Sequence, residues 1–498
     1  MRRYFVHTFG CQMNMHDSRR IEEVLERHGH APATDVTAAD VVVVNTCSVR
    51  DKAEQKLLSL LGRLRPWRQQ NPTRALVVAG CMAQQHGEQL LKQAPSVDLV
   101  LGPDNIVELP ALLDAVAAGM PPQARTVFDL DAPYFLRAEV HAGRPEVTAF
   151  VTTMKGCDER CTFCIVPYTR GPERYRPADD IVAEVAQLVQ GGVREVTLVG
   201  QTVNSWHPPD GAPGDSSHFA ALLQRIAHEV PALYRLRYTS PHPRHVTPAL
   251  LDAHRDLTVL PAHVHLPVQS GSDRVLRRML RRYDSQTYRK CAWALQQARP
   301  GLTLSTDIIV GFPGETEEDF AATLRLVEDV GFVAAFAFKY SPRPGTPALR
   351  LGDDVPAAVK DERLARLLAL IEAQQSAHLK AQVGRRQDVL LEGPSRSDPA
   401  RYSGRTAHNE IVHVPVPAGL DPRGWVLGVE IAEAYRHSLL AAAPSRAEWA
   451  HAQAAVPTSS AVPAASARPV PSAPATSVRS SDSGAAGRRL PVLHTARP

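Results

Sequence analysis

The stretch Lys155–Gly171, KGCDERCTFCIVPYTRG, places Cys157, Cys161 and Cys164 in the spacing C-x3-C-x2-C. It follows the extended run Val147–Met154, so the three thiols belong to one loop. Three thiolates this close can hold three irons of a cubane 4Fe-4S cluster. Such clusters are ordinarily closed by four cysteines, so the missing ligand leaves one iron open to a small molecule. A structural zinc site asks for four N or S donors, commonly as two paired C-x2–4-C units, and no second pair or histidine partner follows within that reach. The bland alternative, buried unreactive cysteine, fits three cysteines in one such loop poorly.

Cys11, Cys47 and Cys81 each follow directly on a short apolar, β-branched run: Tyr4–Thr8, Val41–Asn45 and Ala75–Ala79. Helical patterns come next, over Ser18–His28 (stopped by Gly29), Asp51–Leu64 and Gln84–Lys92. A β-α repeat of this kind predicts an α/β fold, a doubly wound parallel sheet of flavodoxin-like or Rossmann-like form, over residues 1–120. The carboxyl ends of its strands share one edge, so cysteines 36 and 34 residues apart in sequence meet in space. Buried small-hydrophobe cysteine would explain one of them; three on consecutive strand ends, two behind glycine, predict a second three-thiolate cluster site.

Positioning the first trio falls to residues 147–340, which repeat β-α six times. The candidate strands are Thr148–Met154, Glu195–Val199, Tyr234–Thr239, His263–Val268, Thr303–Val310 and Ala334–Tyr340. The helical patterns are Ala178–Gln190, His218–His228, Asp273–Arg281, Gln286–Arg299 and Thr316–Val330. Six units cannot close an eight-stranded barrel, so a partial (β/α)6 barrel is expected, open on one side, with its chemistry at the carboxyl-terminal strand ends. The Cys157 loop lies on that face. So do the loops carrying Gln201 and Asn204, Gln269 and Ser270, and Gly311, which are candidate cofactor contacts, although ordinary βα turns have similar composition. A helical stretch Val359–Val383 then leads to short strands at Asp388–Glu392, Tyr402–Thr406, Ile411–Pro415 and Trp425–Ala434. They predict a small five-stranded OB-like barrel, a common nucleic-acid platform, made basic by Arg385, Arg386, Arg396, Arg401 and Arg405. The remainder is rich in Ala, Pro, Ser and Arg, buries no core, and is expected to be a disordered tail. The expected domains are therefore 1–120, 143–375, 376–441 and the tail 442–498.

Composition narrows the class. With 44% hydrophobic and 22% charged residues the chain reads as soluble and globular. A net charge of +4 does not mark a non-specific nucleic-acid binder, but it permits a local basic patch. Seven cysteines, an odd number, behind the leaderless start MRRYFVHTFG argue against a disulfide framework. They predict a cytoplasmic protein with no membrane span. An open iron can chelate the amino and carboxylate groups of S-adenosylmethionine (SAM). One electron then yields methionine and a 5′-deoxyadenosyl radical, strong enough to take hydrogen from an unactivated C–H bond. A second open cluster could present sulfur to the resulting carbon radical.

Six segments carry a family resemblance: FGCQMNMHDS (9–18), KGCDERCTFCIVPYTRG, the LVGQ-VNSW-like run LVGQTVNSW (198–206), LPVQSGSDRVLRRM (266–279), DIIVGFPGET (307–316) and YSPRPGTPA (340–348). The chain resembles the methylthiotransferase family of radical SAM enzymes over about residues 3–440. Gly10-Cys11-Gln12-Met13-Asn14 favours the branch acting on isopentenyladenosine in tRNA. The branches acting on threonylcarbamoyladenosine and on a ribosomal-protein aspartate usually carry GCKVN and GCPKN. The resemblance implies a radical SAM domain, a TRAM domain in the C-terminal barrel, SAM, and two 4Fe-4S clusters, at Cys157/Cys161/Cys164 and Cys11/Cys47/Cys81. It also implies conversion of N6-isopentenyladenosine at tRNA position 37 to its 2-methylthio form with two SAM, and contact of Phe163 with the SAM adenine. The implied partners are the tRNA anticodon loop, a reduced electron donor protein, and iron–sulfur or sulfur-supply proteins. An aromatic C2–H is unactivated, which accounts for the radical, and the base must leave its stack to reach the cofactor. Arg274, Arg277, Arg278, Arg281 and Arg282 form a candidate strip for the RNA backbone. Thr202 stands where the family commonly has asparagine, and Pro172 and Tyr175 alter the RGPERYR run. Cys291, outside any motif, reads as structural. The alternatives are methylthiolation of threonylcarbamoyladenosine or a protein aspartate and, in a different class, a zinc-bound non-catalytic RNA-binding protein.

Overall fold

A computed structural model describes residues 1–48, 51–128, 130, 135, 146–211, 217–396 and 398–454, with the backbone alone at 51–53. The N-terminal strands are β1 (Arg3–Phe9), β2 (Ala31–Pro32), β3 (Val41–Thr46), β4 (Ala75–Ala79), β5 (Leu99–Leu101) and β6 (Gln123–Arg125). They form one parallel sheet in the order β2-β1-β3-β4-β5-β6. The helices are α1 (Gln12–Arg27), α2 (Asp51–Gln70), α3 (Cys81–His86), α4 (Glu88–Gln93) and α5 (Leu109–Ala117). Tyr4, Val41, Val43 and Val77 face Ile21, Leu25 and Leu113 on α1 and α5. Val42, Val44, Leu76 and Val78 face Leu57, Leu61 and Leu90 on the other side. Burial on both faces is why these strands read as unbroken apolar runs. Strand order reverses between β1 and β3, and in such sheets the ligand crevice lies at that point, outside the carboxyl ends. Helix α1 starts six residues before the expected Ser18, because its first turns bury polar side chains that an apolar period does not reveal.

The central strands are β7 (Thr148–Thr152), β8 (Met154–Lys155), β9 (Arg174–Tyr175), β10 (Glu195–Val199), β11 (Arg235–Tyr238), β12 (His263–His265), β13 (Thr303–Val310) and β14 (Ala334–Lys339). Between and after them run α6 (Val166–Arg170), α7 (Ala178–Gln190), α8 (Ser217–Glu229), α9 (Pro248–Asp256), α10 (Asp273–Arg278), α11 (Ser285–Ala298), α12 (Glu317–Val330) and α13 (Ala357–Lys380). The strands make two parallel sheets, β11-β10-β7 and β12-β13-β14. At the junction of β11 and β12, Leu236 N bonds Val259 O instead of a neighbouring strand. This is the expected open barrel of six parallel strands. Helix α13 seals one flank, with Leu367 and Ile371 in the core. The expected helix to Arg281 stops at Arg278, since Leu280 (φ 56°) and Arg282 (φ 55°) take left-handed conformations.

The C-terminal strands β15 (Arg386–Pro394), β16 (Arg401–Arg405), β17 (Ile411–Pro415), β18 (Val426–Ala434) and β19 (Leu439–Ala441) close into a barrel in the order β15-β16-β17-β19-β18. Its loop 405–410 seats at the β11/β12 junction: Arg235 and Arg237 donate to Arg405 O (3.3 Å) and Thr406 O (2.9 Å), and His408 Nδ1 donates to Ala262 O (3.0 Å). The expectation that order ends at Ala441 is corrected. Helix α14 (Arg446–Ala454) follows, with Trp449 and Ala452 buried against the barrel. One large apolar residue is enough to dock a short helix in an otherwise Ala-rich stretch. The rest of the expected tail, 455–498, lies outside the described residues. Among these residues no helix is long and apolar enough to cross a membrane.

Candidate functional site

Cys11 caps α1, Cys47 follows β3, and Cys81 opens α3, so all three stand at the carboxyl edge of the first sheet. Close approach is built in at Gly10, where a Cβ would lie 2.8 Å from Cys47 Cβ and 2.4 Å from Asn14 Oδ1. Asn14 and Asn45 brace the strand ends: Asn14 Nδ2 donates to Asn45 Oδ1 (3.3 Å), and Asn45 Nδ2 donates to Asn14 O and Ser18 Oγ (both 2.9 Å). The Cys11 and Cys47 thiols are hydrogen-bonded. That contact, helped by the nearby Arg170 guanidinium, brings Cys11 down to about 6 although burial opposes it. Burial pushes Cys81 up against the pull of Arg170.

The second trio hangs from a narrow neck. The two-residue ladder β8–β9 pairs Met154 with Tyr175 and Lys155 with Arg174, and Cys157 N donates to Gly171 O (3.1 Å). At Gly156 (φ +79°) a Cβ would fall 1.9 Å from Pro172 O. Thr162 fastens the far side, donating from N to Met279 O (3.0 Å) and from Oγ1 to Arg278 O (2.9 Å). Cys157 Sγ meets Thr202 Oγ1 at 3.2 Å, and Cys161 Sγ accepts from Arg281 Nη1 at 3.3 Å. Burial pushes Cys157 up to about 12 and raises Cys164 as well. Metal coordination needs thiolates, so loading this trio must expel protons.

Glu159, within the loop, is pushed up by burial, but the His245 hydrogen bond and the Arg244 charge hold it at about 2. Glu159, His242 and His245 bring three metal-capable atoms within 4.8 Å. His242 Nδ1, however, accepts the Arg244 N–H (3.2 Å), which puts its proton on Nε2. A metal-bound histidine instead donates its second N–H to an acceptor. The group is an ion cluster that clamps the loop to the end of β11.

Arg170, six residues beyond Cys164 on α6, ties the first trio to the segment that carries the second. Its Nε donates to Cys81 Sγ (3.2 Å) and its Nη2 to Asp17 Oδ2 (2.5 Å). His16 Nε2 lies 2.9 Å from Thr152 Oγ1 at the end of β7. Asp104 binds Lys155 (3.1 Å) and Arg174 (2.5 Å). The buried polar residues of the 9–18 motif thus hold the first sheet against the cysteine loop.

The remaining candidates divide. Both ends of the Gln201 amide are sheltered and meet no partner among the described residues. Gln269 sits at a strained turn (φ +71°) and is half-buried. Two of them are hydrogen-bonded within the protein. Asn204 exchanges both amide bonds with the His242 backbone (2.7 and 3.0 Å). Ser270 is buried on Thr323 Oγ1 (3.3 Å) and Ser272 N (3.2 Å). Both side chains are committed to the scaffold. Gly311 turns the chain with φ +68° beside Lys360, and Phe163 packs edge-on to Phe312. The arginine strip is broken: Arg281 is buried on Cys161, Arg274 is paired with Asp319, and Arg277 and Arg282 are exposed. Thr202, Arg170 and Asp17 were not anticipated as site residues, and Arg281 was anticipated only in the RNA-facing strip. Arg170 and Asp17 carried a sequence signal, their places in the YTRG end of the cysteine motif and in the 9–18 motif.

An open parallel β/α array with a three-cysteine loop after its first strand defines a radical SAM domain. Accordingly, the profile described as "Radical SAM superfamily" matches residues 151–327, and that described as "Uncharacterized protein family UPF0004" matches 3–102. The solved radical S-adenosylmethionine methyltransferase TsrM from Kitasatospora setae is similar in fold, with TM-score 0.50 and 15% identity over 70% of this chain and 75% of that one. A protein of Sorangium cellulosum named tRNA-2-methylthio-N(6)-dimethylallyladenosine synthase is 60% identical over 463 residues, covering 89% of this chain and 93% of its own. The Bordetella petrii protein of the same name is 47% identical, covering 88% and 91%. The chain belongs to the family of these synthases, the radical SAM methylthiotransferases.

Proposed function

We propose that this protein replaces C2–H with C2–SCH3 on N6-isopentenyladenosine at tRNA position 37. The observation that carries the reading is the Arg170 bridge, which puts a second cysteine trio beside the radical SAM loop. Cys157, Cys161 and Cys164 would hold a 4Fe-4S cluster with an iron left for SAM, and Cys11, Cys47 and Cys81 a second one that retains the sulfur to be delivered. Their donor chemistry fits: six thiols in two groups of three, with a Cβ-free approach at Gly10 and Gly156. The SAM-bound cluster supplies one-electron cleavage of the sulfonium and hence a radical able to abstract the C2 hydrogen.

The chain's own work is positioning. The Gln201 amide offers a donor and an acceptor to the polar groups of SAM, while Phe163 and Phe312 wall the apolar side. The C-terminal barrel docks at the amino-terminal side of β11 and β12, and the cysteines lie at the carboxyl ends of the strands. A substrate touching both must reach along a strand of four residues, about 13 Å. An RNA loop can do this, and a free nucleoside cannot. Exposed Arg277, Arg282, Arg385 and Arg396 are the backbone contacts, and the target base unstacks to enter. A one-electron donor protein and a sulfur-supply protein complete the cycle, in the reducing cytoplasm.

Anaerobic turnover on isopentenylated tRNA with isotopically labelled SAM tests this. Mass spectrometry is expected to find label in 2-methylthio-N6-isopentenyladenosine. Label confined to threonylcarbamoyladenosine, or no nucleoside product from a chain with both clusters loaded, would overturn it.

A further inference from the structure

We infer that two buried arginines, Arg170 and Arg281, are positioning residues that set the reduction potentials of the two clusters, each through an N–H···S bond to one cysteine. The inference rests on the two-cluster reading above. Arg170 is 5% exposed and donates to Cys81, while Arg281 is 7% exposed and donates to Cys161. Reduction adds a negative charge to a cluster, so a cation or an N–H aimed at its sulfur favours the reduced form.

The two guanidiniums differ in what else they touch. Arg170 is matched by the Asp17 carboxylate. Arg281 reaches only neutral oxygens, Pro267 O (3.3 Å) and Tyr283 Oη (2.9 Å), and among the described residues no carboxylate contacts it. Burying a guanidinium without a counter-charge is strongly unfavourable. An anionic cluster removes that difficulty: a 2+ core on three thiolates carries one net negative charge. The backbone is bent for the purpose, since Leu280 and Arg282, on either side of Arg281, both hold left-handed φ, an arrangement that non-glycine residues keep only where the surroundings impose it. On the other face of the loop Glu173 accepts from Tyr175 and Ser205. Arg281 is therefore a cation bonded to a sulfur of the SAM-side trio with no carboxylate in contact with it, whereas Arg170 acts with its charge offset by Asp17.

Potentiometric EPR on the full chain, reconstituted anaerobically, separates the sites. One background carries Cys11→Ala, Cys47→Ala and Cys81→Ala; the other carries Cys157→Ala, Cys161→Ala and Cys164→Ala. In the first, Arg281→Met is expected to make reduction at least tenfold less favourable, about 59 mV for one electron, with Arg281→Lys in between. In the second, Arg170→Met shifts the remaining cluster in the same direction and Asp17→Asn shifts it the opposite way. Should a Met variant lose its iron, the Lys variant and Asp17→Asn decide the sign. Unchanged potentials with iron retained overturn the inference. Absence of iron from the otherwise unaltered second background overturns the two-cluster reading and the Arg170 half with it, while the first background still decides Arg281.

Discussion

The two cysteine trios are made by opposite means. Cys157, Cys161 and Cys164 fall within one loop whose neck is closed by a two-residue ladder and one backbone bond. Cys11, Cys47 and Cys81 are gathered by three strand ends, so their geometry is the geometry of the whole first sheet. In the local trio burial raises Cys157 and Cys164, whereas the assembled trio already contains a thiol lowered to about 6. A loop of this kind can be carried from one barrel to another, but an assembled site has to be inherited with its sheet. The sharpest way to break the comparison is to remove one ligand from each. Cys157→Ala is expected to abolish 5′-deoxyadenosine formation, by three orders of magnitude or more. Cys11→Ala is expected to leave it and stop sulfur insertion, and each change should cost about four irons per chain. Equal loss of both activities in both variants, with the fold intact, would contradict the division.

A gentler perturbation tests how each trio is supported. Gly10→Ala forces a methyl onto Cys47 and Asn14, and Gly156→Ala forces one onto Pro172 O. The first is expected to reduce iron at the N-terminal site severalfold or more while SAM cleavage continues. The second opens the neck of the loop, and because Arg170 lies just before the closing strand β9, it should disturb Cys81 too. Iron quantified in the cysteine backgrounds checks this: Gly156→Ala should lower the count at both sites, Gly10→Ala at one. The reverse pattern would mean that Arg170 does not join the sites.

Legibility followed the same divide. The C-x3-C-x2-C spacing is local, so the sequence carried it whole. The strands Ala75–Ala79, Glu195–Val199 and Thr303–Val310 and the helix Ala178–Gln190 were also plain, because apolar runs and a clean helical period leave little choice. The strand-end rule put Cys11, Cys47 and Cys81 on one edge but could not give their partners. Asn14, His16, Asp17 and Ser18 form no apolar period, so the start of α1 was missed; His16 and Asp17 are buried against Thr152 and Arg170, more than a hundred residues away, and Asn14 and Ser18 against Asn45. Arg281 read as part of a basic strip because five arginines within nine residues resemble a solvated face. Only the left-handed turn that ends α10 sends this one inward. Asn204 and Ser270 illustrate the converse: a loop on the right face does not decide which of its side chains face a ligand.

Smaller effects sharpen the comparison further. Thr202→Val removes the hydroxyl beside Cys157 and is expected to lower the stability of the loaded SAM-side site by about 1 kcal/mol, with no effect on iron at the other trio. Thermal unfolding of the two cysteine backgrounds measures this.

Acid should also distinguish the regions in the metal-free chain. Burial lowers His254 to about 4 and His242 to about 3, both in the central array. They fold neutral and take up protons when unfolded, so their contribution is complete above about pH 6.5 and drains away as pH falls toward 4 and then 3. For His254 the ceiling is about 3 kcal/mol at one decade per 1.36 kcal/mol. Buried His16 adds in the same direction at the interface. The Asp17 carboxylate, held at about 2, keeps its contribution until pH falls below about 4. Denaturant unfolding between pH 7 and 4.5 should therefore weaken the central array before the Asp17–Arg170 tie is touched, and His254→Gln should flatten the slope. A chain equally stable at both pH values would show that these histidines are solvated when folded.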